Sequence, residues 1–325
     1  MPRCVSFSAS TIEVIERYGM NIKVGTRGSK LALVQANTVI ESLRKIAPEI
    51  NAEICVIKTS GDIMQDVSLL KIGGQGAFVK EIEDVLLSGG IDLAVHSMKD
   101  VPGETPPGLK FAAILQREDV RDILVSRGNV KIELMPMGAK IGTGSLRRGA
   151  QLQAMMPDVT IVPLRGNVDT RLKKIETEDL NGVILAAAGM KRLGYGPKIA
   201  QYLPVELMLP AVGQGAIGLQ IRETDSALAG ILAKINHAPT AVEITAERAY
   251  LRALGGGCRL PIAAYCKYEG AQLSLDGLVA APDGAVVIRD RVRGALEEAE
   301  ELGARLAAMI MERGGKKLLN LVSES

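Results

Sequence analysis

Short apolar runs recur along this chain, and the stretches between them carry apolar residues at helical spacing. Residues 21–25 predict a first strand. Ser29 is placed to cap a helix reaching Lys45, with Val34, Val39, Ile40, Leu43 and Ile46 near a period of 3.6. Residues 52–57 predict a second strand and residues 77–87 a second helix. Between them, residues 58–76 hold Gly61, Gly73, Gly74 and Gly76 and show little periodicity, which predicts a long loop. Loops of that length in compact domains are functional covers or disordered segments. The run Ile91-Asp92-Leu93-Ala94-Val95 then predicts a buried strand. This alternation of strand and helix predicts an α/β class, a parallel sheet with helices on both faces.

The pattern restarts after Arg117. Strands are predicted at 122–126, 140–142, 159–162 and 182–186, and helices at 146–155, 167–176 and 187–193. Residues 209–215, Leu-Pro-Ala-Val-Gly-Gln-Gly, are dense in glycine and predict a hinge. Residues 217–221 are expected to return to the first sheet. That gives two similar α/β domains joined by two crossovers, with a cleft between them. After a helix at 242–254 the rhythm changes to short strands at 261–267, 272–279 and 286–293. Pro282-Asp283-Gly284 turns between the last two, and a helix at 296–312 closes the chain. The expected division is a first domain of 20–117 with 214–236, a second of 118–213, and a small α+β domain of 237–325 with an antiparallel sheet. Residues 1–19 are expected to be a mobile extension or a start-site artefact, because Met20 directly precedes the first strand.

Composition removes several classes. Over 325 residues the chain is 47% apolar and 23% charged, values of a globular protein with more than one core. No window approaches 18 uncharged apolar residues, so no membrane span is expected. A net charge of +2, 3% aromatic residues and no tryptophan argue against a nucleic-acid-coating protein. Cys4, Cys55, Cys258 and Cys266 are scattered, and only His96 and His237 accompany them, so no metal site is expected. Scattered cysteines suit a reducing cytoplasm. Nothing demands a protein partner, and a monomer is expected.

Candidate chemistry concentrates where the buried strand at 91–95 gives way to His96-Ser97-Met98-Lys99-Asp100-Val101-Pro102. Pro102 holds Val101 extended. Lys99 and Asp100 therefore stand beyond the carboxyl edge of a sheet, where open α/β sheets bind ligands; the plain alternative is a turn with a solvated ion pair. Arg27, Arg147, Arg148, Arg165, Arg171 and Arg192 each lie near a predicted sheet edge or helix start. Helix N-termini favour anions, and arginine grips carboxylates with paired hydrogen bonds. Such a set suits a ligand carrying many carboxylates, though any one of these arginines also reads as a solvated surface residue. Gly142-Thr143-Gly144 and Gly25–Lys30 match no nucleotide motif. Gly255-Gly256-Gly257 exposes Cys258 at a loop tip beside Arg259, where a group can be attached to the thiol; its plain reading is a small side chain closing a loop. His96, beside a buried strand, is expected to be a satisfied hydrogen-bonded residue.

Together, residues 96–102, Gly142-Thr143-Gly144-Ser145-Leu146-Arg147-Arg148, Leu164-Arg165-Gly166-Asn167-Val168, residues 209–216 and Gly256-Gly257-Cys258 closely resemble the porphobilinogen deaminase (hydroxymethylbilane synthase) family, in the family's order from about Asn21 onward. The resemblance implies two periplasmic-binding-protein-like domains with mixed, mainly parallel sheets, a third small domain, and an active site between the first two. It implies a transferase of tetrapyrrole (porphyrin, haem) biosynthesis. That enzyme joins four porphobilinogen molecules head to tail with loss of ammonia, then hydrolyses off hydroxymethylbilane. It also implies a dipyrromethane cofactor held as a thioether on Cys258. By resemblance, Lys99, Thr143, Ser145, Arg147 and Arg148 hold the cofactor, and Arg27, Ser29, Lys71, Arg165, Arg171 and Arg192 bind substrate carboxylates. Asp100 stabilises the azafulvene cation left by ammonia. The loop motif Gly-Gly-Lys-Gly of the family carries Gln75 in place of lysine here.

The alternative from another class is a non-catalytic anion-binding module of the periplasmic type, which accounts for the arginines and leaves Cys258 and Asp100 without a purpose. An RNA-binding reading fits poorly with so few aromatic residues.

Overall fold

The computed structural model describes residues 20–63, 76, 78–256 and 261–318. Cys4, Lys71, Gln75 and Cys258 lie outside the described residues, as do the expected extension 1–19 and most of the expected loop 58–76. In chain order the elements begin β1 (Met20–Thr26), α1 (Lys30–Ile46), β2 (Ile50–Val56), α2 (Lys80–Leu87), β3 (Leu93–Ser97) and β4 (Leu109–Ile114). There follow β5 (Asp122–Ser126), β6 (Lys140–Gly142), α3 (Leu146–Met155), β7 (Thr160–Val162), α4 (Val168–Thr177), β8 (Gly182–Ala186), α5 (Ala187–Arg192) and β9 (Gln201–Leu203). The chain closes with β10 (Ile217–Arg222), α6 (Ser226–Leu232), α7 (Ala238–Ala253), β11 (Ile262–Glu269), β12 (Gln272–Ala280), β13 (Val287–Ala295) and α8 (Ala299–Ile310).

These strands build three sheets, in the orders β2-β1-β3-β10-β4, β7-β6-β8-β5-β9 and β11-β12-β13. The two five-stranded sheets match position for position. In the first, β1 pairs in parallel with β2 and β3, while β10 runs antiparallel to β3 and β4. In the second, β6 pairs in parallel with β7 and β8, while β5 runs antiparallel to β8 and β9. Each sheet is therefore mixed and mainly parallel, with one reversed strand. That reversed strand is contributed by chain arriving from the other sheet: β10 after β9, and β5 after β4. As expected, residues 217–221 return to the first sheet.

Alternation along the central strands explains why both faces are covered. Ile123, Val125, Val183 and Leu185 fall in one core cluster, while Leu124 and Ile184 fall in another on the opposite face. The caps follow from side-chain chemistry. Ser29 Oγ accepts from Ala32 N at 3.3 Å ahead of α1, and Asn167 Oδ1 accepts from Thr170 N at 2.9 Å ahead of α4.

The third sheet is an antiparallel meander whose core is shared with α7 and α8. Its β12–β13 turn is the expected Pro-Asp-Gly turn. There Gly284 has φ +71°, and a Cβ would come within 2.3 Å of Ala150 O on α3. The third sheet thus docks on the helix that carries Arg147 and Arg148.

Some boundaries differ from the sequence reading. The helix expected at 242–254 starts at Ala238, because His237 caps it through its ring, accepting from Thr240 N, and Pro239 is suited to a first turn. The helix expected at 77–87 begins at Lys80. The strands β4 and β9 and the helix α6 were not anticipated.

Candidate active site

The carboxyl ends of β1 and β3 in the first sheet face those of β6, β7 and β8 in the second. Every candidate residue within the described part of the chain sits on one of these ends or the helix after it. Beyond β3, residues Met98–Asp100 form one 3₁₀ turn and Val101 is extended, as Pro102 requires. This turn rests on the second crossover: Met98 N donates to Ala216 O at 3.1 Å. At Gly213, with φ +72°, a Cβ would meet Met98 Cβ at 2.8 Å and Lys99 N at 3.1 Å. Only glycine allows that approach. Behind the turn, His96 is 4% exposed and bonded through Nε2 to Gln220 Oε1 at 2.9 Å. Burial, against the pull of Gln220, lowers the imidazole to about 4, so His96 is a neutral structural residue, as expected.

Lys99 and Arg165 are the cations that remain available. Among the described residues neither has a hydrogen-bond or ion-pair partner, although both are partly buried. Burial first, then repulsion by Arg148 and Arg171 against attraction to Asp100, pushes the Lys99 amine down to about 8. Burial and the neighbouring Arg148 and Arg165 bring Arg171 to about 10, with Asp100 opposing. Arg171 donates from Nε to Gly166 O at 2.9 Å. Arg192 donates to Gly215 O at 2.7 Å and lines, with Lys99, Gln35 and Ser97, a small pocket between the two large sheets. Asp100 is one-third exposed, and its Oδ2 lies 3.9 Å from Arg27 Nη1.

Arg147 and Arg148 stand differently from a pair of free carboxylate grips. Each is 5% exposed, and both clasp Asp122, which is fully buried. Arg147 Nη1 donates to Asp122 Oδ2 at 2.7 Å and to Leu209 O at 2.6 Å. Arg148 donates from Nε and Nη2 to Asp122 Oδ1, at 3.0 and 2.7 Å. Burial alone would raise the Asp122 carboxyl, yet the two guanidiniums hold it well below the usual carboxylate range. Thr143 is buried, its Oγ1 accepting from Ser145 N at 3.2 Å, and Ser145 caps α3 by accepting from Arg148 N at 3.4 Å. Ser29 is likewise engaged as the cap of α1.

A second buried cluster ties both crossovers to the third sheet. Glu247 on α7 accepts from Arg117 Nη1 and Nη2 at 2.6 and 3.1 Å, from Gly213 N at 2.7 Å and from Cys266 N at 2.8 Å. Gln214 joins it to Asp122, which accepts from its Nε2 at 3.0 Å. Asp62, Asp122 and Glu247 went unread in the sequence. The one available signal was Asp122, a charge heading an otherwise apolar strand.

A fit to an acidic tetrapyrrole precursor can be judged from these side chains. Each pyrrole of a dipyrromethane carries an acetate and a propionate, and partly buried cations without counter-charges are costly unless an anion joins them. Lys99, Arg165 and Arg171 meet that requirement at the cleft; Cys258 lies outside the described residues.

Comparison with known proteins finds one family. The family model described as "Porphobilinogen deaminase, dipyromethane cofactor binding domain" matches residues 22–230, and that described as "Porphobilinogen deaminase, C-terminal domain" matches residues 241–312. A porphobilinogen deaminase of Syntrophus aciditrophicus (strain SB) is 51% identical over 298 residues, covering 92% of this chain and 97% of that protein. One of Alkaliphilus metalliredigens (strain QYMF) is 50% identical over 302 residues, covering 93% and 96%. Among solved structures, a periplasmic VFT2 domain of Bordetella pertussis BvgS is 16% identical, covers 75% of this chain and 98% of that chain, and has a TM-score of 0.41. With half its residues shared along nearly its whole described length, this chain belongs to the porphobilinogen deaminase family.

Proposed function

We infer that the protein is a hydroxymethylbilane synthase, a transferase that condenses four porphobilinogen molecules in sequence, releases ammonia at each step and finally hydrolyses off the linear tetrapyrrole. The observation that carries this reading is the placement of Lys99 and Arg165, partly buried cations without partners among the described residues, with Arg171 and the carboxylate of Asp100 at one cleft. The dipyrromethane cofactor, when bound through Cys258, supplies the free pyrrole carbon to which each unit is joined. Lys99, with Arg148 beside it, is assigned to the cofactor carboxylates, and Arg27, Arg165, Arg171 and Arg192 to those of the incoming unit. Arg147 supports this set from behind, through Asp122 and the hinge carbonyl of Leu209. Thr143, Ser145 and Ser29 shape the backbone at the helix starts that face the carboxylates. Lys71 is assigned to substrate by resemblance alone.

Asp100 is assigned to the ring N–H of the reacting pyrrole. Loss of ammonia puts positive charge on the substrate pyrrole, and a fixed carboxylate stabilises charge that develops in the transition state. A one-third exposed carboxylate with Arg27 at 3.9 Å stays free to accept that N–H. We assign three domains, with boundaries at 117/118, 213/214 and 236/237; that each boundary falls between strands of different sheets supports this division. We place the protein in the cytoplasm as a monomer acting on a small molecule, in keeping with its net charge of +2 and the free thiols of Cys55 and Cys266. No described helix is long and apolar enough to cross a membrane.

The test is the intact mass of acid-denatured protein. A mass excess of two linked pyrroles on the Cys258 peptide is expected. Protein that carries no adduct, and gains none on incubation with porphobilinogen, would overturn the reading. The variant Asp100→Asn should keep its fold and lose nearly all turnover; near-normal turnover removes Asp100 from the chemistry.

A further inference from the structure

Arg27 leaves β1 between two carboxylates and is divided unequally between them. Its Nε and Nη2, the side-on edge of the guanidinium, lie 3.3 and 2.6 Å from Asp62 Oδ2 and Oδ1. Its Nη1 points toward Asp100 Oδ2 but stops at 3.9 Å, beyond a hydrogen bond. The face of the guanidinium lies over the Phe78 ring, 4.0 Å from the centroid.

Asp62 is itself anchored. Thr59 Oγ1, on a residue with no exposed surface, donates to Asp62 Oδ2 at 2.8 Å, and Asp62 N donates to Thr59 O at 2.9 Å. The same turn is tied to α2 through Ser60 N, which donates to Glu81 Oε1 at 2.7 Å. The carboxylate that holds Arg27 is thus fixed by backbone and a buried hydroxyl.

We propose that Asp62 is a positioning residue for the condensation, clamping the side-on edge of Arg27 so that the guanidinium stays off Asp100. The inference rests on the roles assigned above to Arg27 and Asp100. Without Asp62, the other carboxylate paired with Arg27 among the described residues is Asp100, and a bidentate pair would form there. That pair would saturate the carboxylate needed at the substrate ring N–H and would use the end-on edge, Nη1 with Nη2, that is otherwise open to a substrate carboxylate. Asp62 therefore divides two tasks between two acids: one fixes the arginine, and the other stays free for the substrate.

The experiment is kcat and KM for porphobilinogen against pH, on holoenzyme, for wild type, Asp62→Asn, Thr59→Val and Asp100→Asn. The acid limb of kcat reports protonation of the essential carboxylate. In Asp62→Asn, kcat should fall about tenfold or more, and the acid limb should move to lower pH by about one unit, because Arg27 now pairs with Asp100. Thr59→Val loosens Asp62 without removing it and should move the limb the same way by less, which keeps the test open if Asp62→Asn folds poorly. An acid limb unmoved in both variants, with or without a loss of kcat, assigns Asp62 a purely structural part and overturns the proposal. If Asp100→Asn turns over normally, the role of Asp100 falls as well; if it is inactive while the limb stays put, only the positioning role falls.

Discussion

Replacing Glu247 with glutamine should be among the most damaging single-atom changes in this protein. Its two oxygens accept four N–H groups: two from Arg117, one from Gly213 and one from Cys266, all between 2.6 and 3.1 Å. The carboxylate has no exposed surface, and the Arg117 side chain is only 6% exposed. Glutamine keeps one acceptor and sets an NH₂ group against donors, so at least one donor is left facing another. Among the described residues Arg117 keeps only Glu243, at 3.7 Å, as a counter-charge. Removing one partner of a buried ion pair costs about 3–5 kcal/mol, because the other charge stays buried. With a urea m-value of about 3 kcal/mol/M or somewhat more for a chain this size, the unfolding midpoint should drop by about 1 M. Glu243→Gln, which retains an acceptor for Tyr268 N and loses only the longer contact, serves as the control, expected to cost less than about 1 kcal/mol. The assay is equilibrium urea unfolding followed by circular dichroism, with the pair Arg117→Met and Glu247→Leu added as a double-mutant cycle. A loss below about 1 kcal/mol for Glu247→Gln, or additive costs in the cycle, would refute the argument that this carboxylate binds the crossovers to the third sheet.

Two further outcomes are expected. Lys99→Met should stabilise the cofactor-free protein by on the order of 2 kcal/mol at pH 7 while impairing cofactor loading. The amine's value in the fold, about 8, lies below its ordinary 10.5, so the unfolded chain binds more protons between those values and wild-type stability rises with pH across that window. The advantage of the methionine variant should therefore shrink between pH 8 and 10.5, as urea unfolding at several pH values will show; a constant gap contradicts it. Gly213→Ala should cost about 2 kcal/mol or more and lower kcat, since it strains a left-handed residue and drives a Cβ into Met98 just ahead of Lys99. Unchanged kcat and melting temperature would show that residue 213 does not hold the turn at Met98–Asp100 in place.

What the sequence made legible was local. The step from Leu93-Ala94-Val95 into a polar run ended by Pro102 marks a buried strand and the turn beyond it. The cap Ser29 announces its helix because the chemistry of a cap lies within four residues, and Ser145 and Asn167, not read as caps, serve the same way. The strand β4, Leu-Lys-Phe-Ala-Ala-Ile, shows neither alternation nor a β-branched run, and it exists because β10 pairs with it. The strand β9 has only three residues and is defined by β5. Asp62, Asp122 and Glu247 acquire their meaning from arginines 25 to 130 residues away, a relation no local pattern carries. The arginines could be grouped by their positions after strands, yet only the fold separates Arg147 and Arg148, clasped on Asp122, from Arg165, which has no partner among the described residues.

The exchange of reversed strands between the two large sheets also governs how the chain can acquire its structure during synthesis. In the first sheet β10 lies between β3 and β4, and Ile217, Leu219 and Ile221 complete its core. When β4 leaves the ribosome, its neighbour is still about a hundred residues from being made, which at 5–20 residues per second is roughly 5–20 s. Until then β3 and β4 have no partner between them, and the whole second sheet is translated in the interval. The nascent chain therefore carries an open sheet edge for seconds, the kind of edge that invites association with other chains. A fragment ending near residue 117 never closes that edge, so expression of the first segment alone should yield aggregate, and co-expression of 1–117 with 118–325 should restore soluble protein.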